Sequence, residues 1–206
     1  MKKKLESIPK WLTTALQGLT FWIGYKRSLY RDYPLSEGAL VTELRSLLHA
    51  NLPDHLFLKC EVGYSKLVKG VARPEPIAGS KRADFVVASR VDLEQGSKGK
   101  TIYKPDFVFE LKRSEATENL INKDLKRLAA FQTTRRGARA FLIVLSVTSR
   151  HDRFVTEAGK TRVGTHRVPE FAGTYSIRRT VKAASAYTNT DTGNYATMVE
   201  VFADDA

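Results

Sequence analysis

Cysteine is almost missing from this chain: its 206 residues include one, Cys60. A single thiol excludes an internal disulfide and a cysteine-rich zinc site, and it fits a reducing, cytoplasmic setting with Cys60 as a buried structural residue. No uncharged apolar run reaches about 18 residues, so no membrane-spanning helix is expected. The four histidines (His49, His55, His151 and His166) lack the paired spacing of a metalloprotease helix. A glycine-rich phosphate loop, a nucleophile elbow and a dinucleotide fingerprint are also absent. Acidic residues are scarce as well, 22 against 34 Lys and Arg, giving a net charge of +12 and a pI near 9.8. That imbalance favours polyanionic partners, because each phosphate met by a cation releases condensed counterions. With no apolar span to anchor it, nucleic acid is a better match than a membrane surface.

What is present describes one well-cored domain over 1–206, with 42% apolar and 27% charged residues. Lys2, Lys3 and Lys4 before an apolar stretch from Trp11 to Tyr25 superficially resemble a signal peptide. However, Glu6 sits in the basic segment, Gln17 and three threonines interrupt the apolar one, and no small-x-small cleavage site follows. Leu12, Ala15, Leu16, Leu19 and Ile23 recur at helical spacing, which predicts an amphipathic helix within 5–28. A second helix is predicted from Ser36 to His49, with Leu40, Val41, Leu44, Leu47 and Leu48 on one face, ending at Asn51-Leu52-Pro53-Asp54. Strand-like runs follow at Leu56–Val68, Ala83–Val91 and Ile102–Lys112; Arg73–Gly79 links the first pair and a Gln95–Lys100 turn the second.

The apolar period then changes. Ile121, Leu125 and Leu128 predict a helix over Thr117–Thr134, ended by Gly137. Ala140–Leu145 is continuously apolar, as in a strand buried on both faces and paired parallel after a crossover. Residues His151 to Pro169 read as a long basic surface loop. Tyr175–Ala183 and Tyr195–Phe202, joined through Thr190-Asp191-Thr192-Gly193, read as a C-terminal hairpin within 175–203. The predicted class is therefore α/β, a mixed central sheet of about five strands flanked by helices.

Chemistry concentrates in Phe107-Val108-Phe109-Glu110-Leu111-Lys112-Arg113. Residues two apart on a strand share a face, so Glu110 and Lys112 project together while Phe109 and Leu111 go to the other side. An acid and a lysine among bulky apolar groups are costly unless solvated or paired. Metal-assisted phosphodiester hydrolysis has a use for both: the carboxylate holds a hard cation and the ammonium balances charge or orients water. One carboxylate is a weak metal site. Asp84 at the start of a neighbouring apolar strand supplies a second, with residues 85–109 giving room for two strands and a turn between them.

Asp84 followed by Glu110-Leu111-Lys112 resembles the D…(D/E)XK signature of the PD-(D/E)XK nuclease superfamily, whose restriction-endonuclease-like core has an acid-bearing helix, a hairpin with two acids and the lysine, a crossover helix and another strand. The order over about 36–146 is similar. Ala83, where the family has proline, departs from the pattern. The resemblance implies an enzyme, a phosphodiesterase hydrolysing DNA (RNA is the alternative) by a water activated by Mg²⁺ or Mn²⁺, in restriction, repair or phage defence. It implies Asp84 and Glu110 as metal ligands, Lys112 beside them, and Glu43 from the first core helix as a third carboxylate. A homodimer or larger defence or repair complex is a compatible assembly. Asp106 shares Glu110's face but lies about 13 Å away along the strand, so it reads as a turn residue after Pro105 and is the fallback ligand. Lys123, Lys126, Arg127, Arg135 and Arg136 around the crossover helix are candidate phosphate contacts, as are Arg150, Arg153, Lys160, Arg162 and Arg167 in the long loop. Two rival readings keep the same fold: a non-catalytic nucleic-acid-binding module, and an accessory subunit docking an acidic protein.

Overall fold

The structure is a computed structural model that describes residues 5–30, 35–68, 74–90, 103–183 and 193–204. Helix α1 (Lys10–Leu29) and helix α2 (Glu37–Asn51) come first. Strand β1 (Leu56–Gly63) runs into a single helical turn, α3 (Tyr64–Leu67), and a 3₁₀ turn over Glu75–Ile77. Strands β2 (Arg82–Arg90) and β3 (Tyr103–Arg113), helix α4 (Glu118–Thr134) and strand β4 (Arg139–Ser146) follow. Strands β5 (Gly164–Arg167), β6 (Thr174–Lys182) and β7 (Tyr195–Phe202) complete the chain. The expected α/β class is observed, as a seven-stranded mixed sheet in the order β1-β2-β3-β4-β7-β6-β5. Among the described residues, only β3 and β4 pair in parallel, across the α4 crossover.

Local chemistry accounts for the helix starts. Ser36 accepts a hydrogen bond from Ala39 N and Thr117 from Leu120 N, each satisfying one of the free amides of a first helical turn. The five expected core positions of α1 are all fully buried. Strand β4 divides its apolar run between two cores. Ala140, Leu142 and Val144 pack toward α4, whereas Phe141, Ile143 and Leu145 pack toward α1 and α2. At about 25 cal/mol per Å² of apolar area removed from water, these two layers dominate the stabilisation.

Four expectations need correction. The sheet has seven strands rather than about five. The Leu56–Val68 run is not one strand: Glu61 adopts φ 52° and the chain turns helical at Tyr64. The segment 151–169 is not all loop, since Gly164–Arg167 pairs with β6; its alternating positions carry no apolar residues, so it gave no strand signal. Asp106 lies within β3 rather than in a turn, where its Oδ2 accepts from Ser89 N at 2.7 Å. The Gln95–Lys100 turn and most of the Thr190–Gly193 loop lie outside the described residues. Among the described residues, no helix is long and apolar enough to cross a membrane.

Candidate active site

Strands β2 and β3 are antiparallel with Phe85 opposite Phe109 and Val86 opposite Val108. One further step sets Asp84 opposite Glu110, where cross-strand Cβ atoms are about 4.5–5.5 Å apart. The paired ladder ends there. Asp84 substitutes for it, its Oδ2 accepting from Leu111 N at 2.7 Å. The same counting across β1 and β2, where Cys60 faces Phe85 and Val62 faces Ala83, sets the exposed Glu61 opposite Asp84. Three acids therefore occupy one row across three adjacent strands.

Glu110 is 1% exposed. Its Oε1 accepts a 2.7 Å hydrogen bond from the fully buried Tyr64 hydroxyl, and Arg127 Nη1 stands 3.8 Å away. Helix α4 brings a further acid, Asp124, which is also 1% exposed. Arg127 Nη1 lies 2.6 Å from Asp124 Oδ1, and Lys112 Nζ lies 3.4 Å from Asp124 Oδ2. Neither Asp124 oxygen has an aligned hydrogen-bond donor, so the two cations hold it by charge. Lys112 Nζ also reaches Glu37 Oε1 at 3.3 Å and donates to Leu111 O at 3.1 Å.

These carboxylates suffer from one another. Burial, then Asp124 and Asp84, push Glu110 well above the usual carboxylate range, against the opposing Tyr64 hydrogen bond and Arg127. Burial is also the main cause that raises Asp84 to about 6, with Asp124 and Glu61 adding to it. Desolvation raises Asp124 despite Lys112 and Arg127. Burial works against the Lys112 charge, but Asp124, Glu37 and Asp84 more than offset it and hold its pKa above the ordinary value. Titratable groups displaced in this way cluster at functional sites.

The structure thus brings Asp84, Glu110 and Lys112 together and does not bring Glu43 to them. On α2, Glu37 is exposed but shares the helical phase of the buried Leu40, Leu44 and Leu48, whereas Glu43 lies about 100° from Leu44. Glu43 is half-buried and joins no hydrogen bond or ion pair among the described residues. The other candidates divide. Arg127 turns into the site, Lys126 pairs with Glu170, Arg135 Nε donates to Leu67 O at 3.1 Å, Lys123 is exposed, and Arg136 lines a cavity of 720 Å³ at the opposite sheet end. Asp106 lines that same cavity. Sequence reasoning missed Tyr64, Glu37, Asp124 and Glu61. Glu37 and Asp124 were findable, the first by its phase on α2 and the second as an acid three positions before Arg127.

Among the described residues, no three His, Cys, Asp or Glu side chains form a set arranged to hold a metal ion. Asp84 and Glu110 offer a pair. Mg²⁺ takes hard oxygen donors and is commonly held by one or two carboxylates with waters and substrate phosphates completing its shell. The donor chemistry and the excess of mutually repelling buried acids fit such a cation. No protein-family model, curated protein or solved structure matches this chain.

Proposed function

We propose that the chain is a metal-dependent nuclease of the PD-(D/E)XK type, with a restriction-endonuclease-like core, that hydrolyses phosphodiester bonds of DNA. The observation that carries the reading is the register that sets Asp84 opposite Glu110, with Lys112 two positions along. The order of helix α2, the β2–β3 hairpin, helix α4 and the parallel strand β4 supports it, as does the charge of +12.

In this reading Asp84 and Glu110 hold Mg²⁺ or Mn²⁺. When bound, such an ion polarises a phosphoryl oxygen and lowers the pKa of a water. The protein's own groups do the rest. Tyr64 orients the Glu110 carboxylate by hydrogen bonding to one oxygen, leaving the other for the cation. Glu37 and Asp124 clamp the Lys112 ammonium from two helices, so it meets the phosphate already positioned and charged; preorganisation of this kind lowers the barrier to charge development. Arg127, paired with Asp124 and close to Glu110, supplies a second cation beside the same centre.

One observation favours the rival reading of a binding scaffold. Lys112 and Arg127 already neutralise part of the acid cluster, which is also how a site without metal chemistry would stay folded. Incubation with plasmid and with single-stranded DNA, in Mg²⁺ or in EDTA, separates the two. The proposal expects cutting in Mg²⁺ alone; binding without Mg²⁺-dependent cutting would establish the scaffold.

A further inference from the structure

We infer that the hairpin turn leading into β5 is a second phosphate-holding surface, with Lys160 and Arg162 gripping the same nucleic acid about 19 Å from Glu110. The inference takes its ligand from the nuclease reading, while its geometry is independent of that reading. The sheet supplies the ruler. Glu110 pairs with Leu142, Leu142 with Val199, Val199 with Ile177, and Ile177 with Gly164. Gly164 therefore lies level with Glu110, four strand spacings away, which is about 19 Å at roughly 4.8 Å per strand. The next level repeats the relation. Lys112 pairs with Val144, Val144 with Thr197 and Thr197 with Thr180, and Thr161 Oγ1 accepts from Thr180 N at 2.9 Å. Arg162 thus follows a residue level with Lys112, at the same end of the sheet.

The cations of this segment separate by their partners. Arg150 is tied to Asp152 at 3.0 Å, and Arg153 to Glu118 at 2.8 Å and Asn122 at 2.7 Å. Arg153 ties the loop to α4, and Arg150 closes the loop on itself through Asp152. Lys160 and Arg162 are exposed and have no ion pair or side-chain hydrogen bond among the described residues. The turn that carries them is fixed. Val155 bridges to Thr161, and Lys160 N donates to Thr156 Oγ1 at 3.0 Å. Gly159 has φ 69°, and a Cβ there would fall 2.6 Å from the Tyr195 hydroxyl. Two unpaired cations on an anchored turn lose little freedom on meeting phosphates. At about 3.4 Å per base along one strand, the 19 Å gap corresponds to roughly five or six bases. Arg167 is an internal control. It is exposed too, but it pairs with Thr174, which faces Phe202 at the opposite sheet end.

The test is equilibrium binding in EDTA to a DNA hairpin of about 14 base pairs, long enough to span the gap at 3.4 Å per pair, as a function of salt. The double variant Lys160→Glu/Arg162→Glu should flatten the log–log salt slope by about two units, near 0.9 for each phosphate no longer neutralised. Arg167→Glu should leave it within about half a unit by the same scale. Single strands of about four bases, too short to bridge five or six, should bind the double variant as they bind wild type. An unchanged slope in the double variant, or an equal loss from Arg167→Glu, would overturn the inference. Polyglutamate competing as strongly as unlabelled hairpin would overturn the choice of nucleic acid over an acidic protein. None of these readouts requires cutting, so binding with the predicted slopes but no cleavage would defeat the nuclease reading and leave this surface standing.

Discussion

Lys112 is the residue whose role separates an enzyme from a scaffold. Its ammonium is clamped by Asp124 and Glu37. If the clamp serves only stability, Lys112→Ala lowers the unfolding free energy by about a kcal/mol and does nothing else. The nuclease account expects turnover to fall at least about a hundredfold while DNA affinity changes little, the signature of an interaction made only in the transition state. Lys112→Arg should be similarly impaired, because guanidinium is planar and bulkier and does not fit the same clamp. Single-turnover cleavage and equilibrium binding, measured side by side, check both. Tyr64 is a second residue with a defined duty. Tyr64→Phe removes the hydroxyl donor from a buried carboxylate oxygen, for which an unfolding penalty of about 1–3 kcal/mol is expected in urea. An unchanged urea midpoint would show that Glu110 does not depend on that bond.

Elements decide which acids meet, and here the sequence was legible unevenly. Helices α2 and α4, the β2–β3 hairpin and the doubly buried β4 could all be read, because apolar periodicity and turn residues are local signals. The register that sets Asp84 opposite Glu110 was legible only as adjacency; the pairing itself depends on a bulge between Val87 and Ala88. Glu37 escaped notice because an acid in a first helical turn is already explained by the helix dipole. Asp124 escaped because an Asp–Arg pair three apart is the ordinary dress of a solvated helix face. Strand β5 was invisible, since an edge strand of Gly, Thr, His and Arg has no apolar face to betray it. The α2 phase gives a prediction at this scale. Glu37→Gln should reduce cleavage several-fold by loosening Lys112, whereas Glu43→Gln should cut like wild type. Equal losses in the two cleavage assays would contradict that helical phase.

The whole molecule carries a pH dependence set by its crowded acids. Asp84 is raised from 3.8 to about 6 in the fold. The folded state therefore binds more protons than the unfolded chain between about pH 4 and 6, and the associated stability, fully present below that window, is lost as pH rises through it. In EDTA, thermal unfolding should show the protein less stable at pH 8 than at pH 5, and Asp84→Asn should flatten the difference. Added Mg²⁺ should raise the midpoint more at pH 8 than at pH 5, because the ligands must be deprotonated to bind it. Equal shifts at both pH values would remove the carboxylates from the metal site. The most direct measurement of the central claim is Mg²⁺-dependent cleavage of DNA by wild type, Asp84→Asn and Glu110→Gln at equal concentration, each first shown folded by its unfolding transition. The account predicts cutting by wild type and none detectable by either variant; a variant that cuts at the wild-type rate would contradict it.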